Sequence, residues 1–127
     1  MAFQISGTTI INNSSQVVNL GDLINAVGNT GGAATINLNS GNFVTATLTG
    51  NCTWTFSNPN AGASSFTLLL YNDGAAGRSI TWPAAVRWPN NTIPVRTTTA
   101  SRADVYTFFS VNSGATWYGN VAAYNYT

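Results

Sequence analysis

The 127-residue chain predicts an all-β fold, an antiparallel β-sandwich or jelly-roll-like module led by a short N-terminal arm. Three observations predict it. Apolar and polar residues alternate with period two along most of the chain, as in half-buried strands. The runs are separated by Gly, Asn and Pro clusters suited to turns. The polar surface comes from 18 Thr, 17 Asn and 11 Ser rather than from charge, which makes up 6% of residues.

Taken in order, residues 1–30 read as the arm and 31–127 as the module. "FQISGTTIINNSSQVVNL" holds short β-like pieces, and Asp22 to Val27 suggests one helical turn capped by Asp22 and stopped by Gly28. "GNTGGAAT" reads as a flexible joint. "FVTATLT" (43–49) sets Val44, Ala46 and Leu48 against threonines, and "CTWTF" (52–56) sets Cys52, Trp54 and Phe56 against Thr53 and Thr55. Gly50-Asn51 between them predicts a tight hairpin turn. "SFTLLLY" (65–71) is apolar at both phases and predicts a central strand covered on both sides. "RSITW" (78–82) stops at Pro83, which removes a ladder donor. "DVYTFFSV" (104–111), "NSG" and "ATWYGNV" (115–121) predict a hairpin, with "AAYNY" adding an edge strand.

Composition excludes several function classes. Four Arg against three Asp leave a net charge of +1, too little to neutralise a nucleic-acid backbone. There is no His and no Glu, and Asp22, Asp73 and Asp104 follow no catalytic spacing, so the expectation is a non-enzyme without cofactor. Asp73 in the Gly-rich "YNDGAAG" is the one place whose chemistry suits an oxygen-coordinated calcium. No run approaches the roughly 18 apolar residues of a membrane span. The opening "MAFQISGTT" lacks a basic n-region, which predicts cytoplasmic synthesis. Single Cys52 alternates with Trp54 and reads as a small buried hydrophobe.

Two Trp-Pro pairs flank Arg87 in "ITWPAAVRWP". Trp82, in phase with Ile80, is expected in the core. Trp88, beside Arg87 and ahead of "NNTIP", is expected at the surface, either in a protein interface or stacked on a sugar.

The order "FTLLLYN", "GRSITWP", "VRWPNNTIP", "DVYTFFSVNSGATWYG" resembles a β-module of virion proteins from tailed bacteriophages, cyanophage-like ones in particular. The opening "FQISGTTIINNSSQVVNLGDL" is similar to the starts of phage fibre and decoration proteins, and together the stretches cover roughly two thirds of the chain. The resemblance implies a homotrimeric structural subunit of the virion. Without a long shaft, it favours a capsid decoration (cement) protein whose partner is the major capsid protein. Phe3, Ile5, Ile10, Ile11, Val17, Val18 and Leu20 of the arm, with Arg87 and Trp88, are the expected interface residues. Two rival readings stand beside it. One is a short tail or head fibre recognising host-surface glycan through Trp88, Tyr118, Tyr124 and Asn90; the other is a lectin-like bacterial domain.

Overall fold

The computed structural model describes residues 3–6, 8–11, 22–75 and 77–127. Their strands are β1 (Phe3–Ile5), β2 (Thr8–Ile11), β3 (Ile24–Asn29), β4 (Ala33–Asn37), β5 (Phe43–Leu48), β6 (Cys52–Ser57), β7 (Ser64–Asn72), β8 (Ile80–Thr81), β9 (Val86–Arg87), β10 (Ala103–Ser110) and β11 (Trp117–Tyr126). Short 3-10 turns lie at Leu38–Ser40 and Pro89–Asn91. The all-β expectation holds.

The antiparallel expectation does not. β3, β5, β7, β10, β11 and β9 form a six-stranded sheet in that order, and β4, β6 and β8 a three-stranded one. The pairs β3/β5, β5/β7, β4/β6, β6/β8 and β11/β9 are parallel. Only β1/β2, β7/β10 and β10/β11 are antiparallel among the described residues. From β3 to β8, successive strands alternate between the two sheets. Each strand therefore lies in parallel beside the one two places later.

The residues between β5 and β6 explain why no hairpin forms there. Thr49 N–H donates to Thr30 Oγ1 at 3.3 Å, and Gly31 N–H donates to Thr49 Oγ1 at 3.0 Å. These bonds stack the turn after β5 onto the turn after β3. A β-carbon on Gly50 would sit 2.7 Å from the Gly31 carbonyl oxygen, so glycine is what permits that stacking. Asn51 continues the stack, its Oδ1 accepting from Ser79 N–H at 2.9 Å. Gly50-Asn51 thus turns the chain between sheets rather than back along its own.

The same stacking corrects the reading of the early chain. "GNTGG" is a bonded turn, not a joint, and Gly31 takes φ +58° there. Residues 24–29 form β3, not a helical turn. Ile24 and Asn25 pair with Phe43 and Val44, and a bulge falls between Ala26 and Gly28, where Gly28 has φ +76°. Tertiary pairing overrides a helical preference too short to hold by itself. The strand just before residue 30 therefore belongs to the sheet.

β7 is central in its sheet, flanked by β5 and β10. It is covered on one face only: Phe66, Leu68 and Leu70 are buried, while Thr67 and Leu69 opposite them are half-buried and Tyr71 is exposed. The predicted β10–β11 hairpin forms, with Ser113 and Gly114 at positive φ in its turn. Ser110 Oγ accepts from Gly114 N–H at 3.0 Å there. The tail continues β11 instead of adding a strand, with Tyr126 opposite Ala103.

Side chains from both sheets merge in one core. Val44, Leu48, Phe66, Leu68, Tyr106, Phe108 and Trp117 from the larger sheet meet Ile36, Cys52 and Trp54 from the smaller. The Trp-Pro corner closes it. Trp82 stacks on Trp54 with centroids 6.3 Å apart and meets Trp88 edge-on at 5.5 Å. Trp88 also packs edge-on against Phe108 at 5.6 Å. Both corner tryptophans are 9% exposed. The surface placement expected for Trp88 is therefore corrected. Pro89 holds its backbone extended, and the register of Arg87 with Tyr118 turns the indole inward. Gly119 makes room for it, since a β-carbon there would lie 2.9 Å from both Trp88 Cζ3 and Phe108 Cε1.

A candidate interaction face on the six-stranded sheet

The pleat sends alternate side chains of the larger sheet away from the core. Register places them in rows. Arg87, Tyr118, Phe109 and Ser65 stand opposite one another across β9, β11, β10 and β7. The next row runs Asn120, Thr107, Thr67, Phe43 and Ile24. Phe109 is 50% exposed, Tyr118 45%, Phe43 44% and Ile24 73%. Phe109 and Tyr118 stack with centroids 5.2 Å apart and planes 25° from parallel. The result is an aromatic ridge bordered by Ser65, Thr67, Thr107 and Asn120, with Leu69, Val105 and Tyr71 further along the same face.

Three shallow grooves meet at Phe109. One of about 520 Å³ lies among Arg87, Trp88, Tyr118 and Asn120. A second, about 320 Å³, lies among Asp22, Asn42, Phe43 and Thr67. The third, about 280 Å³, reaches Asn60, Ser65 and Val111. Among the described residues, the charged side chains lining these three grooves are Arg87, on edge strand β9, and Asp22, just before edge strand β3. Arg87 Nη1 donates to the Ala84 carbonyl at 2.9 Å. Asp22 Oδ1 accepts from Asn42 Nδ2 at 3.2 Å.

The other carboxylates have structural duties. Asp73 pairs with Arg78, whose hydrogen bond holds its carboxyl below the usual range. It also accepts from Ala75 N–H at 3.1 Å, capping the turn after β7. Asp104 is buried at the start of β10 and ties two segments together. It accepts from Thr97 N–H at 2.7 Å and from Asn125 N–H at 3.0 Å. Arg96 braces the same region through the Arg78 and Thr97 carbonyls, at 2.8 and 2.9 Å. Burial, reinforced by Asp104, raises the Tyr106 phenol well above its ordinary value. Burial likewise raises the Cys52 thiol, against a smaller opposing effect of its Thr30 hydrogen bond. Among the described residues, no three His, Cys, Asp or Glu side chains gather as a metal site would require.

The expected interface residues fall in separate places. Phe3 and Ile5 lie on β1 and Ile10 and Ile11 on β2, a hairpin with Phe3 opposite Ile11. Val17, Val18 and Leu20 lie outside the described residues. Arg87 stands on the outer face, and Trp88 is among the residues that line the groove beside it. Of the residues suggested for a sugar site, Trp88 and Tyr118 line that groove, whereas exposed Tyr124 and Asn90 do not. Sequence reasoning missed Phe109, Phe43, Asn120 and Asp22. A signal was available for Phe109: it follows Phe108 directly, so one of the two had to break the polar phase of its strand.

The chain matches no family model, no curated protein and no solved structure.

Proposed function

We propose that the protein is a structural subunit of a virus particle, a homotrimeric decoration protein that reinforces the head of a tailed phage by bridging neighbours in its major-capsid shell. The observation that carries this reading is the outer face of the six-stranded sheet. It is broad, poor in charge, and ridged by exposed Phe43, Phe109 and Tyr118. Low surface charge is a liability for a solitary protein and an advantage for one that packs against neighbours. The resemblance of residues 66–119 to phage virion modules supplies the choice of particle.

The mechanism is linkage. A subunit that binds the closed shell and not the opened one stabilises the closed state by mass action. In this reading the two sheets act as a stiff sandwich-like body, and the arm (Phe3, Ile5, Ile10, Ile11, Val17, Val18, Leu20) reaches the capsid. The test removes residues 1–21, which leaves β3 and its sheet whole. The shortened protein is expected to fold, with an unchanged melting temperature, but to sediment alone when mixed with undecorated heads. Undiminished co-sedimentation would refute the arm's role, and wild type that ignores heads would refute the function.

One observation favours a second reading. The Phe109–Tyr118 stack beside Arg87 and Asn120 offers an aromatic platform next to polar groups, as a fibre tip binding host glycan would use. Copy number separates the two. A decoration protein is present in hundreds of copies per particle, and a fibre tip in a few tens or fewer.

A further inference from the structure

The two charges at opposite margins of the outer face have no route to each other within one molecule. Arg87 is on β9 and Asp22 adjoins β3, with β11, β10, β7 and β5 between them. Four intervening strands, with neighbours spaced about 4.8 Å, keep the two backbones well beyond ion-pair reach. Asp73 is engaged by Arg78 and Asp104 is buried, so Asp22 is the carboxylate that stands on this face. The stacked Phe109 and Tyr118 lie between the two charges.

We propose that this face is where a second copy of the same chain docks, with Phe109 and Tyr118 at the centre and Arg87 of one copy paired with Asp22 of the other. Complementarity of charge selects the occupant. A copy turned to face its neighbour brings a positive margin against a negative one, and the uncharged Thr and Asn rows between them carry no like-charge penalty. The stacked aromatics sit where interface energy concentrates, at the centre and away from the wet rim. A two-fold pair and a head-to-tail ring of three both satisfy this pairing. The inference rests on the structural-subunit reading and names the surface through which copies meet.

Charge reversal tests it. Full-length wild type, Arg87→Asp, Asp22→Arg and the double variant are compared by sedimentation equilibrium, with circular dichroism and melting curves as folding controls. Wild type is expected to self-associate. Each single reversal should weaken association at least tenfold, because like charges then meet, and the double variant should recover most of it. Phe109→Ser should abolish association with little change in melting. A wild type that stays monomeric at high concentration overturns the proposal, and so does a double variant as weak as the singles. Assembly indifferent to all four changes, or a monomer whose Tyr118 groove binds free sugar instead, overturns it too. Head binding is scored separately. Copies that assemble but ignore heads count against the capsid role alone, and monomers that decorate heads count against this interface alone.

Discussion

Phe108 and Phe109 are consecutive residues of one strand with the same side chain, yet one is 1% exposed and the other 50%. Phe108 lies among Phe66, Trp82, Trp88 and Phe56, with ring centroids 4.9 to 5.6 Å away. Phe109 touches Tyr118 and otherwise faces out. The pleat alone makes this difference, since a half-turn of the backbone separates core from surface. What it teaches concerns the whole larger sheet. Its inner face is filled to the point that Gly119 cannot carry a methyl without displacing rings. Its outer face keeps aromatic area that nothing within the described residues covers. Inner residues hold the fold, and outer ones are available for contact.

The largest effects should come from the inner set. Phe108→Ala and Trp88→Ala are each expected to cost about 3–5 kcal/mol in denaturant unfolding, from lost burial and the cavity left behind. Phe109→Ala should fall within about 1 kcal/mol of wild type. Trp88 is the sharper test, because its place beside Arg87 suggested a surface role. If Trp88→Ala unfolded at the wild-type midpoint, the division into two faces would fail at its most informative residue.

A change of pH probes the inner face without mutation. The Tyr106 phenol titrates well above its ordinary value in the folded protein. As pH rises past about 10 the unfolded chain loses this proton first, so stability is full below that point and falls above it. Cys52 has the same sign, with its window opening near pH 9. Melting temperatures measured from pH 7 to 11 should therefore decline at the alkaline end, and Tyr106→Phe should flatten the decline. An identical slope in the variant would assign the loss elsewhere.

The smallest effect is expected at Trp54. Its indole N–H is buried without a hydrogen-bond partner, which costs about 1–3 kcal/mol. Trp54→Phe removes that cost and some packing against Trp82 together. The two should nearly cancel, leaving the unfolding midpoint within about 1 kcal/mol of wild type. A loss as large as that of Trp88→Ala would mean the ring's volume, and not its unpaired N–H, dominates.

Much of the strand layout was legible in the residues. Alternation in "FVTATL" and "CTWTF" identified which side chains turn inward, and "NSG" marked the β10–β11 hairpin. The candidate face was mostly hidden. Arg87 and Tyr118 drew attention through the Trp-Pro corner and the Trp-Tyr-Gly run, but Asp22, Phe43 and Phe109 lie 22, 43 and 109 residues along. Only the order of strands brings them to one surface.

The division has a physical basis. Inward or outward orientation follows from the period-two geometry of a strand, a local property that the amino-acid order determines by itself. The choice of partner is non-local. Gly50-Asn51 suits a hairpin as well as a crossing between sheets, and it was the stacked threonines and the shared aromatic core that decided for the crossing. A turn sets how the chain reverses, whereas burial in the core that both sheets share sets what each strand lies beside.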